Sequence, residues 1–180
     1  MRGFAVLLLA LFALTANAQD EQRSGWRIGA GAAFTEFSTD DDNFDDSQVG
    51  FNLSAAYRFN NWIGIEGGYF NSSDFEARFP AGFTPTQASI AYQGFYVAGL
   101  GYLSLGDEID LFAKLGFFDF DSQLSTDGGV DSSARTDGPL GGVGAIIHIS
   151  DSFGIKAEFD YFDIDEAELW TVILGVEYMF

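Results

Sequence analysis

His148, the only histidine, stands two residues before Ser150. The next stretch of chain adds two carboxylates, Glu158 and Asp160. Serine, histidine and a carboxylate catalyse acyl transfer when the three groups lie within hydrogen-bond reach of one another. Ser150, however, falls in the short turn 150–152, and we expect His148 to lie close to that turn with its own hydrogen-bond partner. The sequence therefore predicts no catalytic residues.

The densest acidic run is DDDNFDD at residues 40–46. Its carboxylates offer the oxygen ligands that Ca²⁺ and Mg²⁺ prefer, but the run lacks the glycine and the distant glutamate of an EF-hand loop. A run of like charges is more often a solvated surface. We expect no specific metal site here and no bound cofactor, although divalent ions could still bridge this segment to other anions.

The whole chain is strongly acidic and strongly apolar at once. Against 8 Lys and Arg stand 27 Asp and Glu, the net charge is −19, and 47% of the residues are hydrophobic. A disordered chain does not carry so many apolar residues. Nucleic acid is excluded as a partner because its binding needs Lys and Arg. With no cysteine, disulfides, thiol catalysis and thiolate metal sites are excluded as well.

The amino-terminal residues have the three parts of an export signal. Arg2 precedes an apolar run from Phe4 to Leu14, and the small-residue site Ala16-Asn17-Ala18 comes before Gln19. The apolar run is too short for a membrane helix, which needs roughly 20 residues. We therefore predict a cleaved signal peptide at residues 1–18 and a single domain at 19–180 that works outside the cytoplasm.

Hydrophobicity in the remaining chain repeats every two residues, which is typical of β-strands. At the carboxyl end one face is apolar, and the intervening face carries Glu177 and Gly175; the apolar face is formed by Trp170, Val172, Leu174, Val176, Tyr178 and Phe180. The segment from Phe153 to Tyr161 follows the same rule. Both segments are therefore predicted to be strands with one apolar face.

The same pattern predicts eight strands, at residues 25–38, 48–59, 62–78, 88–103, 109–121, 139–149, 153–164 and 169–180. Tight turns alternate with mostly longer, polar connections at 39–47, 80–87, 122–138 and 165–168, and acidic residues gather in or beside the first, third and fourth of these. An even number of alternating strands with short turns at one end is what a closed barrel in a bilayer requires. The predicted fold is all-β: an eight-stranded antiparallel up-and-down transmembrane barrel with short periplasmic turns and longer acidic extracellular loops.

Charged residues within the predicted strands lie on the face opposite the apolar one. A charge facing lipid is costly, whereas pairing it inside a narrow barrel relieves the cost. We therefore expect an inward network formed by Arg27, Arg58, Glu66, Lys114, Lys156, Glu158 and Glu177. The register is ambiguous between Phe95 and Leu103, where both faces are apolar or glycine.

The last strand, ending GVEYMF at 175–180, and the segments VAGLGY at 97–102, AKLG at 113–116 and WIGIEGGY at 62–69 resemble the small eight-stranded outer-membrane barrels of Gram-negative bacteria, such as the OmpA transmembrane domain and OmpX. The resemblance implies an assembly signal at Phe180, Tyr178 and Val176, read by the outer-membrane assembly machinery. It also implies an interior ion-pair network that includes Glu66, Lys114 and Lys156. Gly99 stands where that family often has a basic residue, so the network should differ here.

These expectations define a non-enzymatic, monomeric protein of the outer membrane whose barrel anchors acidic surface loops for envelope integrity or surface interaction. Its partners would be outer-membrane lipid and lipopolysaccharide, with divalent ions as bridges, and no nucleic acid. Eight strands leave an interior that side chains fill, and wide pores need about 16. Three alternatives stay open: an enzyme acting on outer-leaflet lipid, a narrow channel, and a soluble barrel with its apolar faces turned inward.

Overall fold

The structure is a computed structural model that describes residues 24–38, 45–72, 75–77, 88–126, 132–164 and 167–180. Two predictions fall outside these ranges. The signal peptide at residues 1–18 is one, and most of the acidic run at 40–46 is the other, since only the backbone of its last two residues is described.

The described chain consists of nine antiparallel strands. They are β1 (Gly25–Ser38), β2 (Asp45–Arg58), β3 (Ile63–Asn71), β4 (Phe75–Ala77), β5 (Ala88–Leu105), β6 (Ile109–Thr126), β7 (Ser132–Ser150), β8 (Phe153–Ile164) and β9 (Ala167–Met179). Within the described ranges, no helix is long and apolar enough to cross a membrane.

Consecutive strands pair with one another, and the first strand closes the sheet by pairing with the last. In that closure Arg27 lies opposite Met179, and Ser38 lies opposite Glu168. The short strand β4 and the longer β3 both pair with β5, so they share one position in the wall. The result is a closed, all-antiparallel barrel of eight strand positions, as the sequence predicts.

Several strands continue beyond the predicted ends. The sequence places a loop at 122–138, but β6 runs to Thr126 and β7 begins at Ser132. Likewise β2 begins at Asp45 and β9 at Ala167, inside predicted loops, and the predicted strand 62–78 is divided into β3 and β4. The sequence of these extended ends is mostly polar, so hydrophobic alternation ceases although the strands still pair.

Side chains alternate strictly between a buried inner face and an apolar outer face. On β9 the outward residues run from Trp170 to Tyr178 at every second position, while Thr171, Ile173 and Glu177 are buried between them. On β5, where the sequence is ambiguous, Tyr96, Ala98, Leu100 and Tyr102 point inward. Gly99 therefore faces outward.

Aromatic side chains gather at both ends of the outer apolar band. At the short-turn end Tyr178 packs on Phe153 and Phe180, with ring centroids 4.9 and 4.8 Å apart. At the long-loop end Trp170 packs on Phe159 and Tyr161, at 5.2 and 4.5 Å. Aromatic girdles of this kind flank the lipid-facing band of membrane barrels.

Leu174 lies on the outer face halfway between Trp170 and Tyr178. We expect Leu174→Arg to lower the free energy of unfolding in phospholipid vesicles by about 2–4 kcal/mol, because it puts a cation at the middle of the apolar band. Urea unfolding followed by gel mobility with and without boiling measures the change. Leu174→Ala is the matched control, and equal stability of the two variants would contradict a lipid-facing outer surface.

Candidate functional site

The barrel interior is filled at three levels, two of which hold the charged side chains that the structure brings together. The level nearest the short turns, here called the lower cluster, centres on Arg58 at the end of β2. Its Nη1 donates to Asp110 Oδ2 at 2.6 Å, and its Nη2 donates to the carbonyl oxygen of Asn61 at 2.7 Å. Ser104 donates its hydroxyl to the other oxygen of Asp110. Buried Arg58 and Asp110 are thus neutralised by each other and by the adjacent turn.

His148 also belongs to the lower cluster. Its Nε2 lies 2.9 Å from Asp110 Oδ2, while Ser150 Oγ accepts the backbone N–H of Phe153 at 3.2 Å in the following turn. The imidazole of His148 therefore already contacts Asp110, and the hydroxyl oxygen of Ser150 already accepts a hydrogen bond within the turn. Glu158 lies with lysines in the middle of the barrel, so the described geometry does not assemble these groups as a nucleophile, a base and an orienting carboxylate.

Arg27 and Glu177, on the neighbouring strands β1 and β9, form a second buried pair at this level. Arg27 Nη1 donates to Glu177 Oε1 at 2.9 Å. The ring of Tyr102 connects this pair to the lower cluster, because its centroid lies 5.6 Å from Arg27 Cζ and 4.2 Å from Arg58 Cζ. Both distances are within cation–π range, so one aromatic ring stabilises two inward arginines.

The middle of the barrel holds the central cluster, which consists of Glu66, Lys114, Lys156, Glu158 and Asp160. Lys156 Nζ donates to Glu66 Oε2 at 2.8 Å and lies 2.7 Å from Glu158 Oε2. Lys114 Nζ donates to Glu158 Oε1 and lies 2.8 Å from Asp160 Oδ2. Each lysine thus contacts more than one carboxylate, and the five groups form one continuous network.

Tyr96 of β5, the strand between those that carry Glu66 and Lys114, also contacts the central cluster. Its hydroxyl donates to Glu66 Oε1 at 3.0 Å and accepts a hydrogen bond from Asn52 Nδ2 at 3.2 Å. Lys114 Nζ lies 4.7 Å from the centre of its ring. The wall makes room for this ring at Gly68, where a Cβ would come within 2.4 Å of it. A glycine is therefore required opposite Tyr96.

Above the central cluster, toward the long loops, four phenylalanines form an aromatic layer. Phe120 stacks on Phe70 with centroids 5.5 Å apart, and Phe162 lies 5.2 Å from Phe120. Phe118 packs against both Phe120 and Phe162, at 4.7 and 5.4 Å. All four are at most 2% exposed, so this layer separates the charged interior from the long-loop end.

Comparison with known proteins identifies the architecture. A family model described as outer membrane protein beta-barrel domain matches residues 4–180. The chain belongs to this family. A search among curated proteins gave no match.

Solved structures support the same fold for this outer-membrane barrel. Ail of Yersinia pestis, solved with the heparin analogue sucrose octasulfate, aligns with a TM-score of 0.67 at 22% identity over 88% of this chain and 99% of that one. Neisserial surface protein A aligns at 0.68, with 16% identity over 87% and 98%. OprG of Pseudomonas aeruginosa aligns at 0.65, with 15% identity over 90% and 99%. At such identities the likeness concerns the fold.

All seven charged residues that the sequence predicts to face inward are buried in the outer-membrane barrel. Arg27 pairs with Glu177, and Glu66, Lys114, Lys156 and Glu158 meet in the central cluster. The seventh, Arg58, pairs with Asp110, which the predicted set omits together with Asp160. Both omitted residues share the two-residue period of their strands, since Asp110 lies four residues before Lys114 and Asp160 lies two after Glu158. Extending the alternation to every carboxylate in β6 and β8 would have found them.

The long-loop rim carries acidic residues on its outer side. Asp119, Asp121, Asp137 and Asp163 lie on outward positions of β6, β7 and β8. Arg135 donates two hydrogen bonds to Asp119, which lower the pKa of the Asp119 carboxyl and raise that of the guanidinium. Such an exposed pair adds little stability. In the described part of the chain, no group of three His, Cys, Asp or Glu side chains is arranged to hold a metal ion.

An apolar groove of about 710 Å³ lies along the outer wall between β5 and β9. Small residues, among them Gly101, Ala113, Ala145 and Ala157, line it, and Phe159 stands at its side. Most of the lining residues are apolar and face outward, although the inward residues Tyr102, Phe112 and Glu158 also border the groove.

The isolated pair of Arg27 and Glu177 offers a test of the buried charges. We expect Arg27→Met to lower the free energy of unfolding by about 3–5 kcal/mol, because it leaves Glu177 buried without its countercharge. The double variant Arg27→Met/Glu177→Leu should recover most of that loss, since it removes both charges together. Urea unfolding of the refolded barrel measures both. A double variant no more stable than Arg27→Met would contradict the neutralisation of Glu177 by Arg27.

Proposed function

We propose that this outer-membrane barrel is a non-enzymatic scaffold with a closed interior, which holds acidic loops at the cell surface for envelope integrity or surface interaction. The observation that carries the proposal is the filling of the interior at three successive levels: the lower cluster with Arg27 and Glu177, the central cluster and the aromatic layer. An eight-stranded wall encloses only enough space for side chains. An ion on the axis would have to displace all three levels.

The proposal places the long loops outside the cell and the short turns in the periplasm. The strands β6 and β7 extend beyond the outer apolar band, and their outward ends carry Asp119, Asp121 and Asp137 in place of apolar residues. Charges in these positions suit water and not lipid. Loops on a rigid scaffold are where surface proteins commonly carry function.

Planar-bilayer recording tests the closed interior. We expect refolded protein to give no steady conductance, because the aromatic layer and the central cluster exclude a continuous water path. The variant Glu66→Ala/Lys156→Ala/Phe120→Ala/Arg58→Ala/Asp110→Ala keeps the interior charge unchanged, removes side chains from all three levels and should conduct. Leu174→Ala, on the outer face, is the matched control and should stay silent.

If the unaltered protein shows a steady conductance equal to that of the variant with alanine substitutions in the interior, the protein is a channel and the closed interior is wrong. Mass spectrometry of the lipid in the same sample addresses the enzyme alternative. Unchanged lipid masses support a scaffold, whereas deacylated or otherwise modified lipid would overturn the non-enzymatic part of the proposal.

The acidic rim limits the kind of surface this barrel binds directly. Ail was solved with sucrose octasulfate, a polyanion. In this chain the outward rim residues include four aspartates and Arg135, so anionic lipopolysaccharide would be repelled unless cations intervene. We therefore propose divalent ions as diffuse bridges between the rim and lipopolysaccharide phosphates, consistent with the lack of a chelating group among the described residues.

Magnesium dependence tests this partner. In bilayers containing lipopolysaccharide, Mg²⁺ should raise the urea midpoint of unfolding more than Na⁺ at equal ionic strength, because a divalent ion bridges two anions. The variant with Asp119, Asp121, Asp137 and Asp163 all changed to Asn should lose that difference. Bilayers of zwitterionic phospholipid are the control, and an equal Mg²⁺ effect there would contradict the bridge.

The last strand is proposed to serve assembly as well as closure. Val176 and Tyr178 face outward, and the backbone N–H of Phe180 donates to the carbonyl oxygen of Trp26 at 3.0 Å. Before the barrel closes, this edge of β9 is free to pair with a strand of the assembly machinery. The closed barrel has no remaining edge of this kind, which supports a monomer as the mature form.

A further inference from the structure

The central cluster contains unequal numbers of opposite charges. Three carboxylates, on Glu66, Glu158 and Asp160, face two ammonium groups, on Lys114 and Lys156, and all five residues are buried. Taking an unpaired charge out of water costs far more than taking a balanced pair. If every group were ionised, one negative charge would remain in the middle of the barrel.

Among the residues that the structure describes, no other element packed around Asp160 supplies the missing positive charge. Its neighbours across the ladder are Gly142 on β7 and Thr171 on β9, which carry none. Tyr96 on β5 is a phenol that donates to Glu66. The remaining inward arginines, Arg27 and Arg58, are engaged one level lower with Glu177 and Asp110.

The same carboxylates also have acceptor atoms without a donor. Within the described part of the chain, both oxygens of Asp160 and Oε2 of Glu158 are buried without a hydrogen-bond partner. The lysines lie at ion-pair distance from these groups but are not aligned to donate to those atoms. Asp160 Oδ1 packs against the wall, where a Cβ on Gly142 would come within 2.1 Å of it. The site thus lacks at least one donor and one positive charge.

We propose that Glu158 and Asp160 form a proton-binding site, in which the two carboxyl groups together hold one proton in the folded barrel. The proton comes from water as the chain folds, and it converts one carboxylate into a carboxylic acid whose O–H donates to the other. It neutralises the cluster and supplies the missing donor in one step. Among the described residues no group suits a metal ion, and two adjacent ammonium groups would repel one.

Linkage between folding and pH tests the site. Both carboxyl groups are ionised in the unfolded chain near neutral pH, so the folded barrel binds one proton more than the unfolded chain. Stability therefore falls as pH rises, and the unfolding equilibrium constant gains a factor of about ten for each pH unit from this proton. In Asp160→Asn that contribution should vanish, because the amide is uncharged and can itself donate to Glu158.

The measurement is urea unfolding in lipid vesicles between about pH 6 and 8, where unfolded carboxyl groups stay ionised. The slope of the logarithm of the unfolding constant against pH should be larger by one in the unaltered protein than in Asp160→Asn. His148 is present in both proteins, so its contribution cancels. The control Arg27→Met/Glu177→Leu removes an inward carboxylate outside the cluster and should keep the original slope. Equal slopes for the unaltered protein and Asp160→Asn would overturn the proposal.

Infrared spectroscopy gives a second readout that needs no stable variant. At neutral pH exposed carboxyl groups are ionised, so a carboxylic-acid C=O band reports a buried protonated group. We expect this band in the unaltered protein and expect it to disappear in Asp160→Asn and in Glu158→Gln. Its absence from the unaltered protein, or its persistence in both variants, would refute the site.

Discussion

The pairing of β1 with β9 is the constraint on which the rest of the structure depends. A strand in lipid cannot leave backbone N–H and C=O groups without partners, so the sheet must close on itself. Closure with eight strand positions fixes a narrow interior, and the two-residue period then sends half of the wall's side chains into it. The identity of those side chains is restricted by available space before any question of function arises.

The interior fits its large side chains into this limited space by packing them against glycines of the wall. Tyr96 lies opposite Gly68, Phe112 lies against Gly144, and Asp160 lies against Gly142; at each glycine a Cβ would come within 2.4 Å of the larger side chain. The glycines of the wall are therefore part of the packing. The packed aromatic layer prevents water from entering the interior through the long-loop end. The electrostatic interactions below this layer therefore act in a medium of low dielectric constant.

The alternation of side chains was predictable from the sequence because lipid outside and charge inside impose opposite demands on neighbouring residues. It identifies the wall, the order of strands and the inward position of Lys114 and Glu158. It fails where those demands cease: the sequences at the ends of β6 and β7 are mostly polar, so they show no hydrophobic period. Pairing across the barrel, such as Arg58 with Asp110, depends on strand stagger, which one strand's sequence does not encode.

The acidity of the chain is itself a consequence of this architecture. Of its 8 basic residues, Arg27, Arg58, Lys114 and Lys156 are inside the barrel, where each faces a carboxylate. Because these cations pair with carboxylates inside the barrel, they do not balance the aspartates outside. The interior is therefore nearly neutral, and the net negative charge lies on the exterior. The four inward cations meet five inward carboxylates, and the surplus carboxylate falls in the central cluster, because Arg27 and Arg58 each pair with one carboxylate at the lower level. A proton on the carboxyl pair is the smallest cation that fits there.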